Sequence, residues 1–409
     1  MAATASPSRS PLRSDGFDVL YFGAVDWSHT WQRPQQIASR LAAQGRVVYV
    51  DPIGLRRLRL SDAPRLVRRL RGNGGLPAAI PEGVSLIPSH AATLAAGLRA
   101  PSEWTARLVA SAVRRALAEA RVEHPVIWAG TPSPAVVAAL DGLPSRLLVY
   151  DCLDAVTAFR PGQPEVEAAE AALARRADVV LATSPALEAR MRRWNPRTIL
   201  VPNAADYDHF SQPVAPAELP AELRALPRPV IGYVGEVAAW FDTGLVRRLA
   251  LRHPEWSIVL VGPVTAEARH ALPDANIHLL GRRPYSELPR YLAGFDCCLI
   301  PFRASPLTAA VSPVKLYEYL AAGRPVVSTP LPSVLPFGRE VLIGADRRFL
   351  EAVDEAVAGR HDAVAAEARR RCARAHTWDH RVACILEALQ AAEALDPGAE
   401  GAEPARAAR

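Results

Sequence analysis

The sequence predicts an α/β protein made of two doubly wound parallel-sheet units facing across a cleft. Three observations predict it. Short apolar runs alternate with helical patterns along most of the chain, as in repeated βαβ units. These runs fall into two groups, residues 17–201 and 230–328. Between the groups, prolines recur at 213, 216, 220, 227 and 229 among Ala and Glu, which marks a boundary.

Composition fits a globular chain of this kind. Of 409 residues, 50% are apolar and 22% charged, enough for more than one sizeable core. The net charge of +6 permits anionic partners without demanding one. Cys152, Cys297, Cys298, Cys372 and Cys384 form no spaced framework, so free thiols in a reducing cytoplasm are expected. Cys297 and Cys298 sit in an apolar run and are expected in a core. The absence of CxxC and HExxH argues against a zinc site. Met1–Arg13 lacks the apolar centre of a signal peptide, and no run reaches the roughly eighteen apolar residues of a membrane span.

Along the first group, Phe17–Phe22 is a strand, and Gly23 opens a loop bearing Trp27, His29, Trp31, Gln32 and Arg33. Pro34 starts a helix that carries Ile37 and Leu41 and stops at Gly45. Arg46–Val50 is the next strand. The loop lacks GxGxxG, which removes the nicotinamide fingerprint and disfavours an NAD-linked oxidoreductase. Seven arginines between Arg56 and Arg71 face one acid, Asp62, among leucines. This basic amphipathic stretch suits an anionic membrane surface or a phosphorylated acceptor. It lacks the aromatic interleaving of a nucleic-acid binder, so no nucleic-acid partner is expected. Residues 102–120 read as a long helix, and Pro125–Ala129 and Arg146–Tyr150 as strands. The second of these runs into Asp151-Cys152-Leu153-Asp154, two carboxylates at a strand's carboxyl end, where ligands of parallel sheets bind. A helix cap is an equal reading of such a DxxD. It is not a DxD, and no metal is assigned. Glu165–Arg176 is helical, Asp178–Ala182 is a strand, a helix runs from Pro185 through Trp194, and Thr198–Val201 is a short strand before Pro202-Asn203.

In the second group, strands are expected at Val230–Val234, Ser257–Val261, Asn276–Leu280, Phe295–Ile300 and Val326–Ser328. Gly235-Glu236 turns out of the first of these. Trp240-Phe241-Asp242 begins a helix, and Leu288–Ala293 is a short one. Arg303 follows the buried run and a loop, Ser305-Pro306-Leu307-Thr308, that reads as flexible. Ser312-Pro313-Val314-Lys315-Leu316-Tyr317-Glu318 then opens a helix, with Ser312 as cap and Gly323 as left-handed stop. Its free N–H groups and Lys315 suit a phosphate, and Glu318, one turn on, suits sugar hydroxyls. Together they suit the phosphate and ribose of a nucleotide. A single helix pattern covers Leu350–Ala375, Trp378 begins a last one, and the residues after Leu389 are expected to fray.

The 312–327 stretch resembles the donor-binding signature of retaining glycosyltransferases with the two-domain GT-B fold. It is most similar to bacterial teichuronic-acid-type, family-4-like polysaccharide glycosyltransferases. The Trp31-Gln32-Arg33-Pro34 run and the Ala177–Ser184 stretch, followed by Val201-Pro202-Asn203, resemble the same enzymes. The resemblance implies an acceptor domain at 16–210, a linker at 211–229 and a nucleotide-sugar domain at 230–375. A crossover helix at 376–392, returning to the first domain, and a tail at 393–409 complete it. It implies Glu318 on the donor ribose, Lys315 and Arg303 on the diphosphate, and Gly235 allowing close backbone approach. The nucleobase is implied near the Arg283 backbone and the Tyr285 side chain, and an acceptor role for Asp151 or Asp154. Asn203 is implied at the cleft edge.

The implied activity moves a sugar from a nucleoside-diphosphate sugar to a saccharide, lipid-linked or small-molecule hydroxyl, in cell-surface polysaccharide or glycoconjugate synthesis. Retention without a metal or other cofactor follows from the resemblance, not from the residue pattern. Many of those enzymes carry a second Glu eight residues before the first; here that position is Ala310. This favours, as the alternative, a non-catalytic nucleotide-sugar or polysaccharide-binding protein of the same fold. The expected location is the cytoplasm, with peripheral contact to the inner face of an anionic membrane.

Overall fold

The computed structural model describes residues 17–53, 80–87, 102–156 and 163–394. The arginine-rich segment 56–71 and the tail from 395 lie outside the described residues.

The first sheet has seven strands in the order β3-β2-β1-β4-β5-β6-β7. These are β1 (Val19–Phe22), β2 (Val47–Val50), β3 (Val84–Ile87), β4 (Val126–Ala129), β5 (Leu147–Cys152), β6 (Val179–Ala182) and β7 (Thr198–Leu200). The second has six, in the order β10-β9-β8-β11-β12-β13. They are β8 (Val230–Val234), β9 (Ser257–Val261), β10 (Ile277–Gly281), β11 (Cys297–Ile300), β12 (Val326–Ser328) and β13 (Leu342–Ile343). The registered pairings are parallel in both sheets. Each sheet runs outward from its first strand in both directions, the doubly wound order. Strands buried on both faces are near-continuous apolar runs, which is why they stood out in the sequence.

By packing, the chain divides into two compact units. Among the described residues, one takes in those of Ile37–Asp151 and Glu165–Asp178 and residues 17–29. The other takes in Thr30–Gln36, the described residues of Cys152–Pro164, and residues 179–394.

In the first unit, register sets an aromatic ladder across β2, β1 and β4. Tyr21 lies opposite both Tyr49 and Trp128 and stacks on them at centroid distances of 5.2 and 5.5 Å. The Trp128 indole then donates to Asp151 Oδ2 on β5 at 3.3 Å. Trp27 is buried, edge-on to Tyr49, and its backbone N–H donates to Asp51 at 2.9 Å. It pins the loop after β1.

In the second unit, helices Thr243–Arg252, Val314–Ala321 and Asp346–Ala358 bury Leu245, Leu249, Leu316, Leu320, Phe349 and Val353 against the β8–β13 sheet. The final helix, Trp378–Ala394, buries Trp378, Val382, Ile385 and Leu389 and packs on β6 of the first sheet. Its start is stitched to the segment after β7. Ala205 N–H donates to His376 O at 3.1 Å, Trp378 N–H to Ala205 O at 3.2 Å, and Arg381 Nε to Pro202 O at 3.1 Å. No helix among the described residues is long and apolar enough to cross a membrane.

Three local expectations are corrected. The pattern over 350–375 is two helices, Asp346–Ala358 and Ala363–Arg374, because Asp362 caps the second by accepting from Ala365 N–H at 2.9 Å. The stretch after Leu389 stays helical to Ala394, where Leu389 and Ala392 are buried. The Ser305–Thr308 loop is not slack. It forms a helical turn, Pro306–Ala309, closed by reciprocal Ser305 and Thr308 capping bonds.

Candidate active site

The carboxyl ends of β8, β11 and β12 gather most of the residues that the sequence singled out in its second half. The helix Val314–Ala321 packs against them. Tyr319, fully buried on this helix, accepts from the Val234 N–H at 2.8 Å. That bond fixes the helix beside Gly235, which leaves β8 at φ +155°. The backbone is crowded here. A Cβ on Gly262 would stand 2.0 Å from the Gly235 carbonyl oxygen, and one on Gly235 would meet the Tyr233 hydroxyl at 2.6 Å. Only glycine at both positions lets the β8 and β9 ends lie this close.

Glu318 sits next to Tyr319 and is 3% exposed. Its Oε2 accepts from Lys315 Nζ at 2.9 Å. The other carboxylate oxygen has no partner among the described residues. A buried carboxylate is retained where its charge is paired. Here Lys315, one turn back and about a fifth exposed, supplies the pairing. The helix is thus no surface helix with an incidental salt bridge. Gly323 ends it at φ +70°, as its sequence position indicates.

Ser312 does not cap this helix. Pro313 holds the cap position, and no side chain caps it. The Ser312 hydroxyl instead accepts from Asn203 N–H at 3.2 Å, and Asn203 Nδ2 donates to Ser312 O at 2.7 Å. The helix's first N–H groups are therefore left free of a side-chain cap, which suits an anion better than the expected serine would.

Arg303 follows β11. Its backbone N–H donates to Trp240 O at 2.8 Å, and its guanidinium donates to Phe241 O at 3.2 Å and Thr243 Oγ1 at 3.4 Å. It ties the β11 end to the start of helix Thr243–Arg252, which Asp242 caps. The Ala310 methyl is 7% exposed where the resemblance has a carboxylate.

After β10, Arg283 and Tyr285 are both engaged. Arg283 Nε donates to the Tyr291 hydroxyl at 2.6 Å and Nη2 to Glu222 at 3.2 Å; the Tyr291 hydroxyl also donates to Glu222 at 2.6 Å. The Tyr291 bond, reinforced by Arg283, holds the Glu222 carboxyl below its ordinary range. The Arg283 side chain is thus committed within the protein. Tyr285 stacks on His209 at 4.5 Å and accepts from Gln36 Nε2 at 3.0 Å. His209 and Gln36 were not singled out as site residues from sequence. They are 76 and 249 residues from Tyr285, and nothing local announces the contact.

The two aspartates after β5 have different surroundings. Asp151 is fully buried and holds the Trp128 indole. Asp154 is partly exposed; burial of its carboxyl pushes the pKa up to about 7, against the lowering pull of Arg33. Arg33 is itself buried and donates to Val201 O at 2.9 Å. Among the described residues, no group of three or more His, Cys, Asp or Glu side chains is placed to hold a metal.

Two doubly wound parallel sheets, a final helix returning to the first, and a buried cation–carboxylate pair at the carboxyl ends of the second define a protein of GT-B architecture. Comparison with known proteins agrees. A family model described as glycosyl transferase-like matches residues 243–387. TuaH of Bacillus subtilis (strain 168), a proposed teichuronic acid biosynthesis glycosyltransferase, is 28% identical over 258 residues. The match covers 57% of this chain and 64% of TuaH, under two thirds of that relative's length. Among solved structures, Anabaena HepE in complex with UDP and glucose superposes with a TM-score of 0.64 at 15% identity, over 92% of this chain and 100% of HepE. Sucrose-phosphate synthase from Thermosynechococcus elongatus gives 0.64 at 18% identity, over 92% and 99%. At these identities the two structures speak for the fold. The chain thus has the GT-B fold and resembles the teichuronic-acid-type polysaccharide glycosyltransferases.

Proposed function

We propose that this protein is a glycosyltransferase that moves a sugar from a nucleoside-diphosphate sugar to a hydroxyl of a saccharide or lipid-linked acceptor, in the synthesis of cell-surface polysaccharide or glycoconjugate. One observation carries the reading: a buried carboxylate, paired on one oxygen and free on the other, lies one helical turn from uncapped amides at the mouth of a parallel sheet. In this reading Glu318 takes the ribose hydroxyls. Lys315, the amides at the start of helix Val314–Ala321, and Arg303 meet the diphosphate. Gly235 lets the donor approach the backbone, and the Arg283 backbone and Tyr285 flank the nucleobase. The acceptor hydroxyl attacks the anomeric carbon, the bond to the diphosphate oxygen breaks, and the nucleoside diphosphate leaves with its charge met by Lys315 and Arg303. Retention and independence of a metal are part of the proposal and rest on the resemblance. Screening a panel of nucleotide sugars for binding, hydrolysis and transfer tests it. Ala310 favours a second reading, a nucleotide-sugar-binding protein without turnover. Binding with no transfer or hydrolysis across the panel would select that one.

Of the two acidic residues on the acceptor side, Asp154 is partly exposed as a residue, with its carboxyl desolvated, and Asp151 supports the strand end. Asp154→Asn gives a pH test. Its folded pKa of about 7 lies above the 3.8 of the free side chain, so the native state holds this proton more tightly than the unfolded chain. Stability from this group is fully present below the lower value and is lost as pH rises through about 7. The asparagine variant should therefore melt higher than the parent at pH 8, with the difference vanishing near pH 4. If Asp154 accepts the acceptor's proton, transfer by the parent rises through pH 7 and the variant loses that rise. Equal melting temperatures at pH 8 contradict the assignment.

Peripheral membrane contact belongs to the same proposal. Among the described residues its support is the outer face of helix Ser102–Glu119. Trp104 is 66% exposed and Leu108 50%, and the exposed Arg107 and Arg114 flank them. Each arginine near an anionic surface contributes about 1 kcal/mol. Liposome sedimentation should show capture by anionic but not neutral vesicles, weakened in Trp104→Ala/Leu108→Ala. No capture, or equal capture by both, ends this part of the account.

A further inference from the structure

The amino-terminal ends of β8, β11 and β12 carry a second concentration of charge. Asp296 precedes β11 and is 7% exposed; its Oδ2 accepts from Val230 N–H at 2.7 Å. Arg228 reaches the same oxygen at 2.9 Å, and Arg360 reaches Oδ1 at 3.6 Å. Arg324, just before β12, donates to Phe295 O at 3.2 Å, and Arg369 donates through Nε to Gly323 O at 3.1 Å. Arg370 lies over Gly323, its guanidinium carbon 2.8 Å from where a glycine Cβ would stand. Arg228 and Arg360 thus meet the buried carboxylate, Arg324 lies within electrostatic reach of it, of Arg228 and of Arg370, and Arg369 neighbours Arg370, so five arginines form one connected cluster.

Among the described residues, other acids do not balance them. Glu367 stands 3.9 Å from Arg370 but is shared with Arg374 at 2.9 Å. Asp362 is within electrostatic reach of Arg369, yet its carboxylate caps helix Ala363–Arg374. The nearby thiols add no charge, because burial pushes Cys298 up to about 12 and Cys297 well above its ordinary value. Two guanidinium nitrogens are also left over. Among the described residues, Arg324 Nε and Arg369 Nη2 are buried without a hydrogen-bond partner, and Arg369 is only 8% exposed. A buried cationic N–H with no acceptor is costly, and native structures supply one from protein, water or an ion.

We infer that this arginine cluster is an oxyanion-binding site for a phosphate-sized group, separate from the donor site. The separation follows from strand direction. Gly235 leaves the carboxyl end of β8, whereas Val230 begins it, and four steps of strand span about 13 Å. A phosphate brings several acceptor oxygens and about two negative charges, matching both the surplus cations and the unfilled N–H groups. The site sits at the stop of the donor helix. Arg369 holds the Gly323 carbonyl, and Arg324 donates its own N–H to Tyr319 O at 3.1 Å. An anion there bears on the C-terminal end of the helix whose start carries Lys315.

The test uses the full chain and inorganic phosphate, with chloride at matched ionic strength as control. Phosphate should raise the unfolding temperature beyond chloride, by an amount that grows with concentration as a bound ligand requires. Arg360 and Arg370 are half-buried at the rim, so Arg360→Gln/Arg370→Gln tests the site with less risk to the fold than removing Arg369. That variant should bind phosphate at least ten-fold more weakly by calorimetry. Lys315→Ala should retain a phosphate response, reduced only by what the donor helix itself binds. A response lost in Lys315→Ala places the anion at the donor site and overturns the inference. So does a response unchanged in the double arginine variant, or none beyond chloride in the parent. Vesicles containing phosphatidic acid separate the two sources of phosphate. Capture that depends on Arg360 and Arg370 identifies a lipid headgroup, and phosphate binding without such capture identifies a free ion.

Discussion

Glu318→Gln should lower affinity for a nucleoside-diphosphate sugar by about ten-fold to a hundred-fold. The carboxylate is nearly inaccessible to water, and one oxygen is committed to Lys315 at 2.9 Å. The other is free to accept from ribose hydroxyls. A hydrogen bond to a charged group contributes roughly 1.5–3 kcal/mol, and each 1.4 kcal/mol is about a factor of ten in affinity. Glutamine keeps the shape but removes the charge and turns an N–H₂ toward either Lys315 or the ligand. Binding of the free nucleoside should fall along with that of the diphosphate, since the ribose is common to both. A purely structural helix predicts the opposite pattern, a lower melting temperature with unchanged affinity in the folded fraction.

Lys315→Ala should separate the diphosphate from the nucleoside. Only the diphosphate presents charge to the ammonium group, so its affinity should fall by about ten-fold or more, on the scale of a charge-assisted hydrogen bond, while nucleoside affinity changes little. The variant also leaves Glu318 buried without its counter-charge. Breaking a fully buried pair costs about 3–5 kcal/mol, and Lys315 is a fifth exposed, so a loss at or below the lower end is expected. Thermal melting of the unliganded variant measures that loss, and titration of the remaining folded protein measures the ligand effect. A fall of equal size for nucleoside and diphosphate would show that Lys315 acts only by orienting Glu318.

The interior strands were legible because burial on both faces demands unbroken apolar runs, and β8, β9 and β11 satisfy that demand with almost no polar residue. The strands β3 and β13 escaped notice. Among the described residues each is a short edge strand with one neighbour, and both are at most half-buried, so neither carries a continuous apolar run. The break between Ala358 and Ala363 was written in Gly359 and Asp362, but the apolar spacing continues across it and masks the stop. Lys315 and Glu318 could be paired from sequence because three residues separate them on one helix. Ser312 could not be read correctly. Its partner, Asn203, is 109 residues away and competes with the local capping role that serines usually take. The same holds for Arg283, whose side chain is committed to Tyr291 and to Glu222, 61 residues away.

The most direct test of the donor site is calorimetric titration of the parent, Glu318→Gln and Lys315→Ala with a nucleoside and its diphosphate. The parent should bind the diphosphate the more tightly. Glu318→Gln should weaken both ligands, and Lys315→Ala should weaken the diphosphate selectively. Unchanged affinities in both folded variants would contradict the account, because the helix Val314–Ala321 would then not be where the donor binds.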